Sequence, residues 1–222
     1  MAELIKAKET FHFYTRLHLT ELTGERASNL EQLLKIIREA PGSCIYHHTH
    51  RFLQQHQYLS PEPPNDFAYW VREVLGEDEL AERLASIDTI QYSSIRALRE
   101  KIAEIIAGYL EKNPRSGLRF ARKEEEFNFL KSVSFVLPTN HFANDLREFA
   151  DCLKNITLDS IYFHIFESRL RLEKGSNDFS NWIENSLGNP ALASKISRLD
   201  PYTYTLENLK KTLLSIIEKQ IG

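Results

Sequence analysis

The segment Ile45-Tyr46-His47-His48 returns later in the chain as Ile161-Tyr162-Phe163-His164, and most of what flanks it returns too. Residues 11–53 align on 127–169 without a gap, so that Phe11 and Phe13 fall on Phe127 and Phe129, Thr23 on Thr139, Ala27 on Ala143, and Leu30 on Leu146. After a loop that is longer in the first copy, Asn65-Asp66-Phe67 falls on Asn177-Asp178-Phe179, Trp70 on Trp182, and Leu75-Gly76 on Leu187-Gly188. Two copies are too few for a solenoid, whose repeats need several neighbours to bury a continuous core. The expectation is a pseudo-two-fold tandem duplication: a first repeat unit at 1–112, a charged, solvated linker at 113–126 and a second repeat unit at 127–222.

Each copy opens on an alternating segment. Phe11, Phe13, Thr15, Leu17 and Leu19 share one parity while His12, Tyr14, Arg16 and His18 share the other, which is the period of a half-buried strand. An isolated strand is unstable, so the two copies of it are expected to pair. Helical spacing follows, with Leu30, Leu33, Leu34 and Ile37 on one face and Leu146, Phe149, Ala150 and Leu153 on its counterpart. Ser28 with Glu31 makes a capping box, Thr23 being an earlier alternative start, and Pro41-Gly42 stops the helix. Ser43 and Asp159 are placed to cap the helices that carry the Tyr-x-His signature. Asn65, Asn177, Ser94 and Thr205 read as further N-caps, Asn189-Pro190 as N-cap plus N1, and Gly76 and Gly188 as left-handed C′ residues. The predicted fold is mostly α, a unit of roughly five helices written twice, with a short two-stranded β element.

Composition excludes several classes. A net charge of −3 gives no basic face for a nucleic-acid backbone. No apolar run approaches the roughly 18 residues of a membrane span, and residues 1–20 are broken by charges, so neither membrane partner nor export signal is expected. Cys44 and Cys152 occupy non-equivalent places in the two copies, which suits reduced thiols and a cytoplasmic setting. There is no Gly-rich phosphate cradle, no Gly-x-Ser-x-Gly elbow and no His-Glu-x-x-His.

The order Phe-x-Phe, Thr-Gly-x-Arg-Ala (Thr23 to Ala27), Ser-x-Ile-Tyr-x-His, Asn-Asp-Phe-x-x-Trp and Leu-Ala-x-x-Leu-x-x-Ile-Asp resembles an uncharacterised bacterial and archaeal family known as a domain of unknown function. The resemblance covers nearly the whole chain. It implies a link to carbohydrate metabolism through a glycosyltransferase-type partner, and it brings no catalytic residues. The second copy departs from the Thr-Gly-x-Arg-Ala pattern, so a site using Gly24 or Arg26 would exist once.

Candidate site residues gather around the first signature: Tyr46, His47, His48, His50, Arg51, His56 and Asp66. The shared His48 and His164 admit a structural reading, each with its second nitrogen held by a neighbour, and Asp66 and Asp178 admit a role at a helix dipole. His164 with Glu167 has the spacing of a carboxylate–histidine pair. The unshared His47, His50, Arg51 and His56 could line a pocket for an anionic or hydroxyl-rich ligand. No catalytic constellation, metal or cofactor is assigned. The leading expectation is a non-catalytic binding or accessory module. The alternatives are an enzyme acting on a sugar or phosphate ester through a His-rich site in the first repeat, and a protein-partner module with an apolar patch near the proline loop 60–64.

Overall fold

Two long strands run antiparallel to one another, β1 (Phe11–Ala27) and β2 (Phe127–Ala143), and the rest of the ordered secondary structure is helical. The computed structural model describes residues 5–51, 64–92, 94–168, 176–199 and 205–221, and 60 % of it is helix. The chain divides into two compact units. The Trp182 unit holds residues 5–17 and the described part of 134–221; the Trp70 unit holds residues 18–51 and the described part of 64–133.

In the Trp70 unit the helices are α1 (Leu30–Glu39), α2 (Gly42–Tyr46), α3 (Asp66–Glu73), α4 (Asp78–Ala85) and α5 (Ile95–Lys112). The apolar face Leu30, Leu33, Leu34 and Ile37 packs α1 against α5, and α3 packs against α4. Asn65 and Ser94 cap α3 and α5 by accepting the amides of Ala68 and Ala97, and Gly76 is left-handed at φ +64. The start of α1 differs from expectation. Asn29, extended at φ −148, caps it by accepting the Gln32 amide, while Ser28 donates through its N–H and hydroxyl to the Gln32 side chain. Ser43 also fails as a cap: α2 begins straight after Pro41, which leaves Ser43 inside the helix.

The charged run after α5 is mostly exposed and is tied to its unit at a few points. Pro114–Leu118 forms a 3-10 turn with Ser116 and Gly117 buried. Beyond it, Arg119 donates to the Leu75 and Gly76 carbonyls, Ala121 donates to the Ser28 carbonyl, and the Trp70 indole donates to the Glu125 carbonyl at 2.7 Å.

The Trp182 unit contains α6 (Leu146–Asn155), α7 (Leu158–Tyr162), α8 (Asp178–Asn185), α9 (Pro190–Ser197) and α10 (Leu206–Ile221). Here α10 packs on α6 and α7, and α8 on α9. Asn177 forms a full capping box with Ser180, Asn189 precedes Pro190 as N-cap, Thr205 caps α10, and Gly188 is left-handed at φ +65. The cap of α7 is Thr157, which accepts the Ser160 amide; Asp159 lies within the first turn.

Each core takes its Phe-x-Phe pair from the far half of the chain. Phe11 and Phe13 are buried with Phe149, Tyr162, Phe179, Ile183 and Leu213. Phe127 and Phe129 are buried with Leu33, Phe67, Leu80 and Ile106. Only these ends of the ribbon enter a core, so the inward parity predicted for Leu17 and Leu19 stops short: both are 51 % exposed. Among the described residues no helix is long and apolar enough to cross a membrane.

Candidate functional site

The signature sits on a distorted helix in both units. Helix α2 runs on into a π-helical turn, His47–Arg51, and α7 into another, Phe163–Glu167. A π turn adds a residue per turn and re-aims the side chains after it, a distortion frequent at functional positions.

His48 is buried, with its Nδ1 2.7 Å from Asp66 Oδ2, and its Nε2 accepts the Leu130 backbone N–H at 3.0 Å. An amide N–H can only donate, so Nε2 is the unprotonated nitrogen and Nδ1–H donates to the carboxylate. His164 repeats the arrangement: Nδ1 lies 2.8 Å from Asp178 Oδ2, and Nε2 accepts the Tyr14 N–H at 2.8 Å. The rings are enclosed by aromatics, His48 by Phe67, Phe127 and Phe129, and His164 by Phe11, Phe13 and Phe179. Asp66 and Asp178 open α3 and α8, where the helix dipole favours a carboxylate, but their N-terminal amides are capped by Asn65 and Asn177. Their carboxylates therefore do more than the helix-dipole role expected of them, fixing the imidazoles.

The remaining residues predicted around the first signature converge in the Trp70 unit, except His56, which lies outside the described residues. His47 is buried with Nδ1 2.9 Å from Ser132 Oγ. Burial pushes its pKa down to about 4, helped by His48 and Arg51 and opposed by Asp66. His50 is buried and lies flat against Tyr46, with ring centres 5.6 Å apart at 6°. Its Nδ1 is 2.9 Å from Thr49 Oγ1; that hydroxyl already donates to the Ile45 carbonyl, so Nδ1 carries the proton. His18 also stacks on Tyr46, its Nε2 3.3 Å from the phenol oxygen. Arg51 is half-buried at the end of the turn. His18, Ser132 and Leu130 were not legible as partners, since they come from strands distant in sequence.

The Trp182 unit fills the matching places differently. Phe163 stands edge-on to His164 as His47 does to His48, with ring centres 5.0 and 5.1 Å apart. Phe166 stacks on Tyr162 as His50 does on Tyr46. Where Glu167 was expected beside His164, Asp178 lies against its Nδ1, and the buried Glu167 pairs with Arg16. Arg16 also lies 6.0 Å from the centre of the Phe163 ring.

A cleft of about 610 Å³ opens beside the His164–Asp178 pair, lined in part by Tyr14, Asn181, Trp182 and Ser186. Sequence reasoning missed it, having searched around the histidines of the first copy. Among the described residues no three His, Cys, Asp or Glu side chains are grouped to hold a metal ion.

Residues 8–218 match the model of a Family of unknown function (DUF5752). A solved structure, "The structure of OrfY from Thermoproteus tenax", is 33 % identical, covers 98 % of this chain and 98 % of its own, and superposes with a TM-score of 0.82. A search of curated proteins found no match.

Proposed function

Since the chain belongs to the Family of unknown function (DUF5752), which specifies no activity, we propose that it is a cytoplasmic, non-catalytic binding module, accessory to a glycosyltransferase-type partner in carbohydrate metabolism. The observation that carries the non-catalytic reading is the state of the signature histidines. A His–Asp pair resembles a general-base dyad, yet each Nε2, the atom that would take a substrate proton, is occupied by a strand amide among aromatic side chains. The same arrangement supports a tandem duplication with repeats at 1–112 and 127–222 around the segment 113–126. His48 and His164, Asp66 and Asp178, and Leu130 and Tyr14 are all partners in the sequence alignment, the strand amide in each unit being supplied by the other repeat. Two thiols outside any disulfide accord with the cytoplasm.

The test is reconstitution with a sugar-nucleotide-dependent glycosyltransferase from the same genome. The protein alone turns over no glycoside or phosphate ester, and it co-purifies with the transferase and raises its rate. Turnover by the purified protein alone would sink this reading. The second reading, an enzyme acting on a sugar or phosphate ester, draws on the buried group of His18, Tyr46, His47 and His50 in the Trp70 unit. In that case His47→Phe abolishes turnover while the melting temperature holds.

A further inference from the structure

The cleft of the Trp182 unit presents polar groups that make no hydrogen bond among the described residues. Ser186 is 7 % exposed and lines the cleft, yet its hydroxyl has no hydrogen-bond partner among the described residues. The hydroxyl oxygen itself is not sealed from solvent, so water or a ligand in the cleft can meet it. Just before it, at the end of α8, the Asn185 amide donates to the backbone carbonyl and Oδ1 of Asn181, at 3.0 and 2.7 Å. That pairing leaves the Asn181 amide hydrogens and Asn185 Oδ1 as an adjacent donor and acceptor, both on exposed side chains at the cleft. The Tyr14 hydroxyl likewise makes no hydrogen bond among the described residues.

Charge and shape narrow the ligand. The described lining holds two carboxylates, Glu9 and Asp178, two imidazoles, His12 and His164, and neither lysine nor arginine, a balance that disfavours phosphate. Asp178 accepts from His164 at the start of α8, where the helix dipole favours its charge. Rings of Tyr14, Phe163 and Trp182 supply apolar wall, and the Trp182 indole N–H is committed to the Glu9 carbonyl at 2.7 Å. The volume falls within the roughly 300–1,000 Å³ of small-molecule pockets. We infer that this cleft binds a neutral polyhydroxylated ligand, an unphosphorylated mono- or disaccharide, through Asn181, Asn185, Ser186 and Tyr14. This deepens the carbohydrate-linked binding reading and rests on it for the term carbohydrate, while its site is argued from the cleft alone.

The test is calorimetric titration of the full chain with glucose, mannose, maltose and sucrose, with glucose 6-phosphate and choline as charged comparators. At least one neutral sugar binds, more tightly than either comparator. Asn181→Ala and Ser186→Ala each weaken that binding about tenfold. Asn181→Ala leaves the melting temperature unchanged, since Asn181 is exposed, so a loss of binding there cannot be a loss of fold. Absence of binding by every neutral sugar, tighter binding of glucose 6-phosphate or choline, or unchanged binding by both variants would overturn the site. A chain that binds the sugar and also hydrolyses it keeps the site and overturns the accessory reading. One that binds none yet still activates a transferase does the reverse.

Discussion

The two units hold their signature helices by the same three groups and differ in what surrounds them. A buried imidazole, a helix-opening carboxylate and a strand amide recur in both. Around this latch the Trp70 unit places His47, His50, Arg51 and Ser132, where the Trp182 unit places Phe163, Phe166, Glu167 and Arg16. The difference separates two jobs: what recurs ties helix to strand, and what diverges sets how each unit responds to its medium. One unit has spent its positions on imidazole and hydroxyl groups, the other on aromatic packing and a buried ion pair. The unit poorer in histidine opens a cleft beside its latch.

The comparison breaks first if the latch is not structural. His48→Ala and His164→Ala each strand a carboxylate and an amide and empty an aromatic cage, at about 4 kcal/mol apiece. Chemical denaturation of both variants should show similar losses; a variant with wild-type stability would remove that histidine from the latch. Next in size, Glu167→Ala removes the buried carboxylate that pairs with Arg16, costing about 3 kcal/mol. Arg51→Ala at the matching place costs clearly less, because Arg51 is half-buried, and equal losses would erase the contrast.

Acid should act through the Trp70 unit. The folded pKa of His47, about 4, lies below its ordinary value of 6.5, so the unfolded chain takes up the proton first as the pH falls. The contribution is fully present above about pH 6.5 and is lost progressively toward pH 4, amounting to roughly 3 kcal/mol by the end of that window. His47→Phe, which copies Phe163, should flatten the stability profile of the chain between pH 6.5 and 4 relative to wild type. A profile of unchanged slope would show that His47 does not report the acid. The smallest effect belongs to the caps. Asn65→Ala and Thr157→Ala each cost about 1 kcal/mol, whereas Ser28→Ala costs less, because Asn29 is the cap of its helix. Thermal melts ranked in any other order would reassign that helix start.

What was legible in the sequence is what lies close in sequence. The apolar face of α1, the caps Asn65, Asn177 and Ser94, and the left-handed Gly76 and Gly188 each depend on a few neighbouring residues. The errors at Ser28, Ser43 and Asp159 are shifts of a few residues, made where several capping side chains compete at one helix start. The latch was only half legible. His48 could be read as a structural histidine with its second nitrogen held, but Leu130 is 82 residues away and acts through its backbone, which no side-chain pattern reveals. Arg16 and Glu167, 151 residues apart, are hidden for the same reason, so Glu167 was assigned to the nearer His164. The cleft escaped because its polar groups, two asparagines and a serine, are ordinary on a helix surface until the fold closes over Ser186.

The exchange of Phe-x-Phe pairs bears on how the protein is made. When a ribosome has released residues 1–112, the helices of the Trp70 unit have emerged but Phe127, Phe129 and the Leu130 amide have not, so His48 has no strand to bind. Phe11 and Phe13 wait with the start of β1 for a core that is translated well after them. Neither unit can be completed from the N-terminus alone. A nascent chain of this design exposes two unburied aromatic pairs in turn, which makes it a natural client of a chaperone that acts during synthesis.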